Sequence, residues 1–208
     1  MRPIRTLCLA GLCLSPLLAG AASAATIVDE WKSVAVPPPP VLQSVKADPA
    51  TTALVILDMV QQRCNERPRC VDSVKPVSEL LAKARAAHVP VIYTLVPGAK
   101  PADVVKELAP EKGDPVVTAS ADKFLKTDLE KILKDKGIKT IVTVGTAAEG
   151  AVLATSSEAA MRGFEVVVPV DGASSATPYG EQYTAWHLAN APGPKGHVTL
   201  TRTDMVAF

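Results

Sequence analysis

The sequence predicts an α/β fold: a three-layer α/β/α sandwich with a Rossmann-like, mostly parallel sheet of about six strands. Short, continuously apolar runs such as Ala53-Leu-Val-Ile-Leu57 suit strands buried on both faces of a parallel sheet. Segments with apolar residues at helical spacing alternate with those runs. The stretch Thr140-Ile-Val-Thr-Val-Gly-Thr-Ala-Ala-Glu-Gly-Ala151-Val-Leu-Ala-Thr155 reads as a buried strand, a sharp turn and a helix start. In α/β proteins that junction lies at the carboxyl edge of the sheet, where ligands bind.

The chain starts with Met1-Arg-Pro-Ile-Arg5, an apolar run from about Thr6 to Leu18, and Ala22-Ser-Ala24, the pattern of a secretory signal peptide cleaved after Ala24. The run is shorter than the ~20 residues that span a bilayer, so no stable membrane anchor is expected after cleavage. Residues 25–50 include Val36-Pro-Pro-Pro-Pro40 and read as an extended arm, since consecutive prolines bar a helix or a central strand. The remaining residues, 51–208, suit one domain with a single core.

Within that domain Ala53 to Leu57 is the first strand, and Asp58 ends it. From Ser73, the residues Val77, Leu80, Leu81 and Ala84 predict a helix that stops at Val89-Pro90. A strand over Val89 to Leu95, a weaker helix around Ala102 to Ala109 and a short strand at Pro115 to Thr118 follow. Thr127-Asp-Leu-Glu130 is a capping box that starts a helix, and Gly137 supplies a left-handed stop. Then come the strand Lys139 to Val144, a helix from about Gly150 to Arg162 closed by Gly163, and a strand over Phe164 to Val170. Tyr179, Tyr183 and Trp186 recur at helical spacing before Pro192, and His197 to Thr201 is the sixth strand.

The 208 residues carry a formal charge of +1, which gives no electrostatic case for nucleic acid. Hydrophobic residues make up 48% and aromatics only 4%, so stacking platforms for single strands are not expected either. Of four cysteines, Cys8 and Cys13 leave with the signal. Cys64 and Cys70 flank the polar loop Asn65-Glu-Arg-Pro-Arg69 and are read as a disulfide, which an oxidising compartment favours. The rival reading is a free Cys64 acting as a nucleophile near Asp58. A periplasmic or secreted location is expected.

Asp58 is the first candidate for chemistry. A carboxylate that caps an apolar strand at the ligand-binding edge is partly desolvated, which raises its pKa and lets it exchange protons near neutral pH. The plainer alternative is an aspartate that only binds loop amides. His88, His187 and His197 are isolated and support neither a metal site nor a serine triad. Gly145-Thr-Ala-Ala-Glu-Gly150 lacks the middle glycine of a dinucleotide fingerprint and the lysine of a phosphate loop, so no cofactor is expected.

Four segments in order, Leu54-Val-Ile-Leu-Asp58-Met, Phe124-Leu-Lys-Thr-Asp-Leu129, the junction after Thr140, and Arg162-Gly-Phe-Glu-Val-Val-Val-Pro-Val-Asp171, resemble the isochorismatase-like hydrolases, or cysteine hydrolase superfamily. The resemblance runs from roughly Thr51 to the C-terminus. It implies the same three-layer fold, a homo-oligomer, and a catalytic aspartate at Asp58. The family's lysine falls in register near Thr118 or Ala119, neither of which is cationic; Lys123 is the nearby lysine, either turned inward by a shifted loop or solvated.

The family's nucleophilic cysteine follows the strand-ending glycine by six residues, which puts it at Ala151, six beyond Gly145. A methyl group cannot attack, so covalent catalysis there is ruled out. Isochorismatases proper also lack that cysteine; in them the aspartate protonates a vinyl ether and water attacks the resulting cation. By the same resemblance Gly150 eases a cis peptide that the family often places here. The backbone amides of Gly150, Ala151 and Val152 are candidates to bind an oxyanion or carboxylate.

Glu149 favourably opposes the helix dipole and is a second carboxylate that could orient water. Gln61 and Gln62 are candidate pocket residues, although the family's Asp-x-Gln spacing puts the amide at Val60. Two functional readings result: an exported hydrolase using Asp58 and activated water on a small molecule, or a degenerate member that binds a small molecule or a protein partner without turnover. A lesser third is an envelope-interaction role for the proline-rich arm.

Overall fold

A computed structural model describes residues 25–208, so the signal segment expected over 1–24 lies outside the described residues. The described residues fall into two units, divided between Pro37 and Pro38. In the first, the described residues hold one turn of helix, α1 (Ile27–Glu30). Asp29 closes it by accepting from both the amide (2.9 Å) and the hydroxyl (2.8 Å) of Thr26.

The second unit is the expected α/β sandwich. Its elements are β1 (Val45–Lys46), β2 (Thr52–Leu57), α2 (Gln61–Asn65), α3 (Pro68–Ala86), β3 (Val91–Leu95), β4 (Val116–Thr118), α4 (Leu129–Asp135), β5 (Thr140–Thr146), α5 (Leu153–Met161), β6 (Glu165–Pro169), β7 (Ala173–Ser174), α6 (Pro178–Asn190), β8 (Val198–Thr201) and β9 (Val206–Ala207). Six parallel strands pair in the order β4-β3-β2-β5-β6-β8, and β7 adds to the end of β5. From β2 the chain builds outward through β3 and β4, then returns to place β5 on the other side of β2. The connections leaving β2 and β5 therefore diverge, and a crevice opens beyond their carboxyl ends.

Period-two alternation along β2 divides the core. Ala53, Val55 and Leu57 face one side with Leu129 and Leu133 of α4, Ala159 of α5 and Leu188 of α6. Leu54 and Ile56 face the other with Val77, Leu80, Leu81 and Ala84 of α3. Every residue of β2 is buried, as its unbroken apolar run predicts.

Several boundaries differ from the sequence expectation. Helix α3 starts at Pro68, not Ser73, because proline at the first helical position has no amide to leave unpaired, and the helix continues through Pro76. The expected helix over 102–109 is two 3-10 turns, Pro101–Asp103 and Lys106–Leu108. The capping box at Thr127 does not close: its hydroxyl accepts from Leu129 at 3.2 Å, while Glu130 pairs with Lys134 and Arg162 instead of reaching back. The expected left-handed stops at Gly137 and Gly163 are present, with φ of 68° and 85°.

Residues 43–47 are joined to the C-terminal strands. Val45 and Lys46 pair in parallel with Val206 and Ala207. The Gln43 amide donates to the Leu200 carbonyl at 3.0 Å, and the buried Thr201 hydroxyl donates to the Gln43 carbonyl at 2.6 Å.

Candidate active site

The crevice beyond β2 and β5 depends on how closely those two strands approach at their ends. Leu57 is in register with Gly145. A Cβ at Gly145 would overlap the Leu57 carbonyl, and its φ of 137° is open to glycine alone in practice. The residue after Leu57 is Asp58, whose φ of 55° is left-handed, a conformation aspartate tolerates better than most side chains. Its amide stays tied to the Thr94 carbonyl on β3 at 3.1 Å while its side chain enters the crevice.

Asp58 is 5% exposed and Lys123 fully buried, and Lys123 Nζ lies 2.7 Å from Asp58 Oδ2. The other carboxylate oxygen accepts from the Thr94 hydroxyl at 3.0 Å. Lys123 Nζ also donates to the Ala119 carbonyl at 2.9 Å, so the side chain folds back over four residues. Of the two alternatives for Lys123, the structure has the inward one. Its loop is fixed on both flanks: Ala119 bonds to Leu95 at 3.1 Å, and the buried Phe124 ring packs on Phe164 beneath the Arg162 guanidinium.

Burial pushes the Asp58 carboxyl above its ordinary value, against the pull of Lys123, Thr94 and Arg63. Burial likewise pushes the Lys123 ammonium below its ordinary value, against Asp58. The two proton affinities converge, which lowers the cost of passing one proton between them.

Above the pair lies a cavity of 380 Å³, within the range of small-molecule sites. Asp58, Arg63, Arg67, Thr146 and Ala151 line it, with Val96 and Pro97 forming an apolar side. Arg67 Nη1 donates to Thr146 Oγ1 at 3.2 Å, and that hydroxyl donates in turn to the Ser174 carbonyl at 3.2 Å. Among the described residues, no group of three or more His, Cys, Asp or Glu side chains is placed to hold a metal ion.

The other expected residues are dispersed. Ala151 lines the cavity, but Val152 is wholly buried in the core. The Gly150 and Val152 amides donate to the Ala147 carbonyl at 3.1 and 3.3 Å, so of the three amides assigned to a ligand only that of Ala151 is not engaged by it. Glu149 is exposed and faces Gly180 in the first turn of α6; a Cβ there would come within 2.9 Å of its carboxylate. Gln61 and Gln62 line a neighbouring cavity of 450 Å³ that shares Arg63, Val96 and Pro97 with the first. The cis peptide is Thr146–Ala147, ahead of the turn and not beside Gly150, where a Cβ would meet only Ala147 at 3.8 Å.

Cys64 and Cys70 are bonded to each other, which removes Cys64 as a nucleophile. The residues the sequence reading passed over are Arg63, on α2 just before Cys64, and Arg67, in the loop between the two cysteines. Two arginines shortly after Asp58 were the available signal; α2 ends at Asn65 and Arg67 is extended, so the turn between α2 and α3, not helical spacing, brings both to the cavity.

Residues 52–204 match the family model described as the isochorismatase domain. A protein of Verticillium dahliae named secreted isochorismatase effector Isc1 is 32% identical over 134 residues, which cover 58% of this chain and 70% of that protein. The crystal structure of N-carbamoylsarcosine amidase from Thermoplasma acidophilum superposes with a TM-score of 0.63 at 25% identity, over 74% of this chain and 97% of that one. A cysteine hydrolase from Pseudomonas syringae pv. phaseolicola shares the fold with a TM-score of 0.68 at 21% identity, over 79% and 94% of the two chains.

Proposed function

The chain belongs to the isochorismatase family, and from that premise we propose that it is an exported hydrolase that acts on a small molecule through Asp58, Lys123 and water, with no covalent enzyme intermediate. One observation carries this reading: a buried carboxylate and a buried ammonium 2.7 Å apart beneath a cavity at the sheet's carboxyl edge. Ala151 takes the place of the family's cysteine, and its methyl group lines that cavity.

Asp58 gives a proton to the substrate and is resupplied by Lys123. The cation so formed takes up water, and the surplus proton of the added water returns to the Asp58–Lys123 pair. The adduct collapses to a carbonyl as its bond to the leaving group breaks and the adduct's hydroxyl proton passes to that group, so the cycle consumes one water and leaves the enzyme unchanged. The Thr94 hydroxyl and the Ala119 carbonyl hold the two groups in register throughout. Export is supported by the N-terminal signal pattern, by the Cys64–Cys70 disulfide and by the name of the secreted relative.

Replacing Asp58 with Asn keeps the shape and removes the transferable proton. Turnover of vinyl ethers, amides and ureides is to be screened with the wild-type protein, and D58N is expected to lower the rate on whichever reacts by roughly 10²–10⁴-fold without loss of fold by circular dichroism. Undiminished turnover in D58N overturns the mechanism. Ala151 also favours a second reading, a member that binds without catalysis; ligand-induced thermal shifts with no turnover on any class would establish that one.

A further inference from the structure

Resting on the hydrolase reading, the next question is which molecules the cavity admits. Asp58 is the sole carboxylate in its lining, and Lys123 already neutralises it. Arg63 and Arg67 therefore add two positive charges that the lining does not balance. Among the described residues, Arg63 is within ion-pair distance of Glu66 alone, at 4.0 Å and exposed to solvent. Arg67 is bonded to a neutral hydroxyl, that of Thr146, which occupies one of its five donors.

The loop that carries Arg67 is fixed at several points. Cys64 and Cys70 are covalently joined on either side of it. Arg69 forms a two-pronged ion pair with Glu181 of α6, which in turn accepts from the Ser175 amide at 3.0 Å. Thr146 positions the Arg67 guanidinium at the end of β5. A cation held in place before the ligand arrives loses little freedom on binding, and a planar guanidinium matches a carboxylate through two parallel hydrogen bonds.

We propose that Arg67, with Arg63, is the anion-recognition element of this site, and that the substrate is a small carboxylate-bearing molecule whose carboxylate rests on these guanidinium groups while its reacting bond lies over Asp58. Arg63 also walls the adjacent cavity that holds Gln61 and Gln62, so the carboxylate end sits toward that side. The cation opposite Asp58 gives both orientation and selection: a neutral analogue leaves the arginines unpaired and gains nothing from them.

The test is calorimetric and uses the full mature chain with lactate, succinate and benzoate, each against its neutral carboxamide, and phenyl phosphate as a second anion. At low salt at least one carboxylate is expected to bind about tenfold tighter than its carboxamide, a preference that high salt reduces. R67Q is expected to bring that ratio close to one with carboxamide affinity unchanged; R67K keeps part of it, and R63Q lowers it to a smaller extent. A panel in which no carboxylate outbinds its carboxamide overturns the proposal, as does a ratio unchanged in both R67Q and R63Q. Phenyl phosphate bound more tightly than every carboxylate overturns the carboxylate assignment. Since these readouts require no turnover, an active D58N sinks the mechanism alone, and a flat carboxylate ratio beside an inactive D58N sinks this inference alone.

Discussion

At the level of single residues, the chemistry depends on what burial does to Asp58 and Lys123. The carboxyl is raised and the ammonium lowered, so across the interval between them the pair holds the proton that can be donated. As pH rises through the lowered pKa of Lys123 the pair loses that proton, and kcat/KM is expected to fall on an alkaline limb below the ordinary lysine value of 10.5. K123M moves the limb down to the titration of Asp58 alone; a limb that stays in place in this variant rules out Lys123 as the proton source. The same substitution strands a buried carboxylate, which costs about 3–5 kcal/mol of stability at neutral pH. Because the folded-state pKa of Asp58 is raised, its protonated form stabilises the fold below the unfolded value of 3.8, and this contribution is lost as pH rises through the folded value. Denaturant titrations should accordingly show the K123M deficit shrinking toward acid pH, and a deficit independent of pH would mean that Asp58 is not charged in the wild type. Asp58 was legible in the sequence as the polar end of an apolar run. Lys123 was only half legible: the family register falls near Thr118 or Ala119, and a four-carbon side chain rooted at position 123 folds back to the Ala119 carbonyl, a path that residue counting cannot reveal.

At the level of elements, strands were easier to read than turns, for a physical reason. The run Leu54 to Leu57 and its counterpart in β5 are buried on both faces, so composition alone marks them. Helix starts depend on which of several partners a polar side chain chooses. Thr127 and Glu130 had the spacing of a capping box, but Lys134 and Arg162 compete for Glu130 with full charges. In α6 the spacing of Tyr179, Tyr183 and Trp186 identified a helix, yet these side chains are exposed and Gly180, Thr184 and Leu188 form the buried face. Periodicity reports a helix; it does not say which stripe is buried when the core side uses small residues. The junction of β2 and β5 is where an element-level change has the largest effect. Alanine at Gly145 would overlap Leu57 and impose a strained φ, with an expected loss of about 2–4 kcal/mol by chemical denaturation. A G145A variant as stable as the wild type would show that the two strands can separate there, and the crevice geometry would then lose its basis.

For the molecule as a whole, the fold places Asp58, Arg67 and Ala151 around one cavity from separate stretches of chain, with Lys123 buried behind Asp58, which explains how the fold was legible while most of the site was not. Gln61, Gln62 and Glu149 lie near Asp58 or Ala151 in sequence, but the turns after β2 and β5 direct them elsewhere. The edge of the folded unit shows the same limit. Residues 41–47, Val-Leu-Gln-Ser-Val-Lys-Ala, lack the prolines of the stretch before them, but a two-residue strand at an edge is too short to show as an apolar run of its own. Its hold is nevertheless specific: Val45 and Lys46 add to Val206 and Ala207, and the buried Thr201 hydroxyl has the Gln43 carbonyl as its short acceptor. A chain starting at Val41 keeps this strand and a chain starting at Asp48 removes it, so the difference between the two isolates its contribution. An unfilled buried hydroxyl and an opened edge are together expected to lower stability by about 1–3 kcal/mol, read as a shift in denaturant midpoint at constant m-value. Equal midpoints for the two truncations would mean that the C-terminal strands hold their position without residues 43–47. A changed m-value would instead show that β9 unravels with its partner, which would extend the cooperative unit from Gln43 to the last residues of the chain.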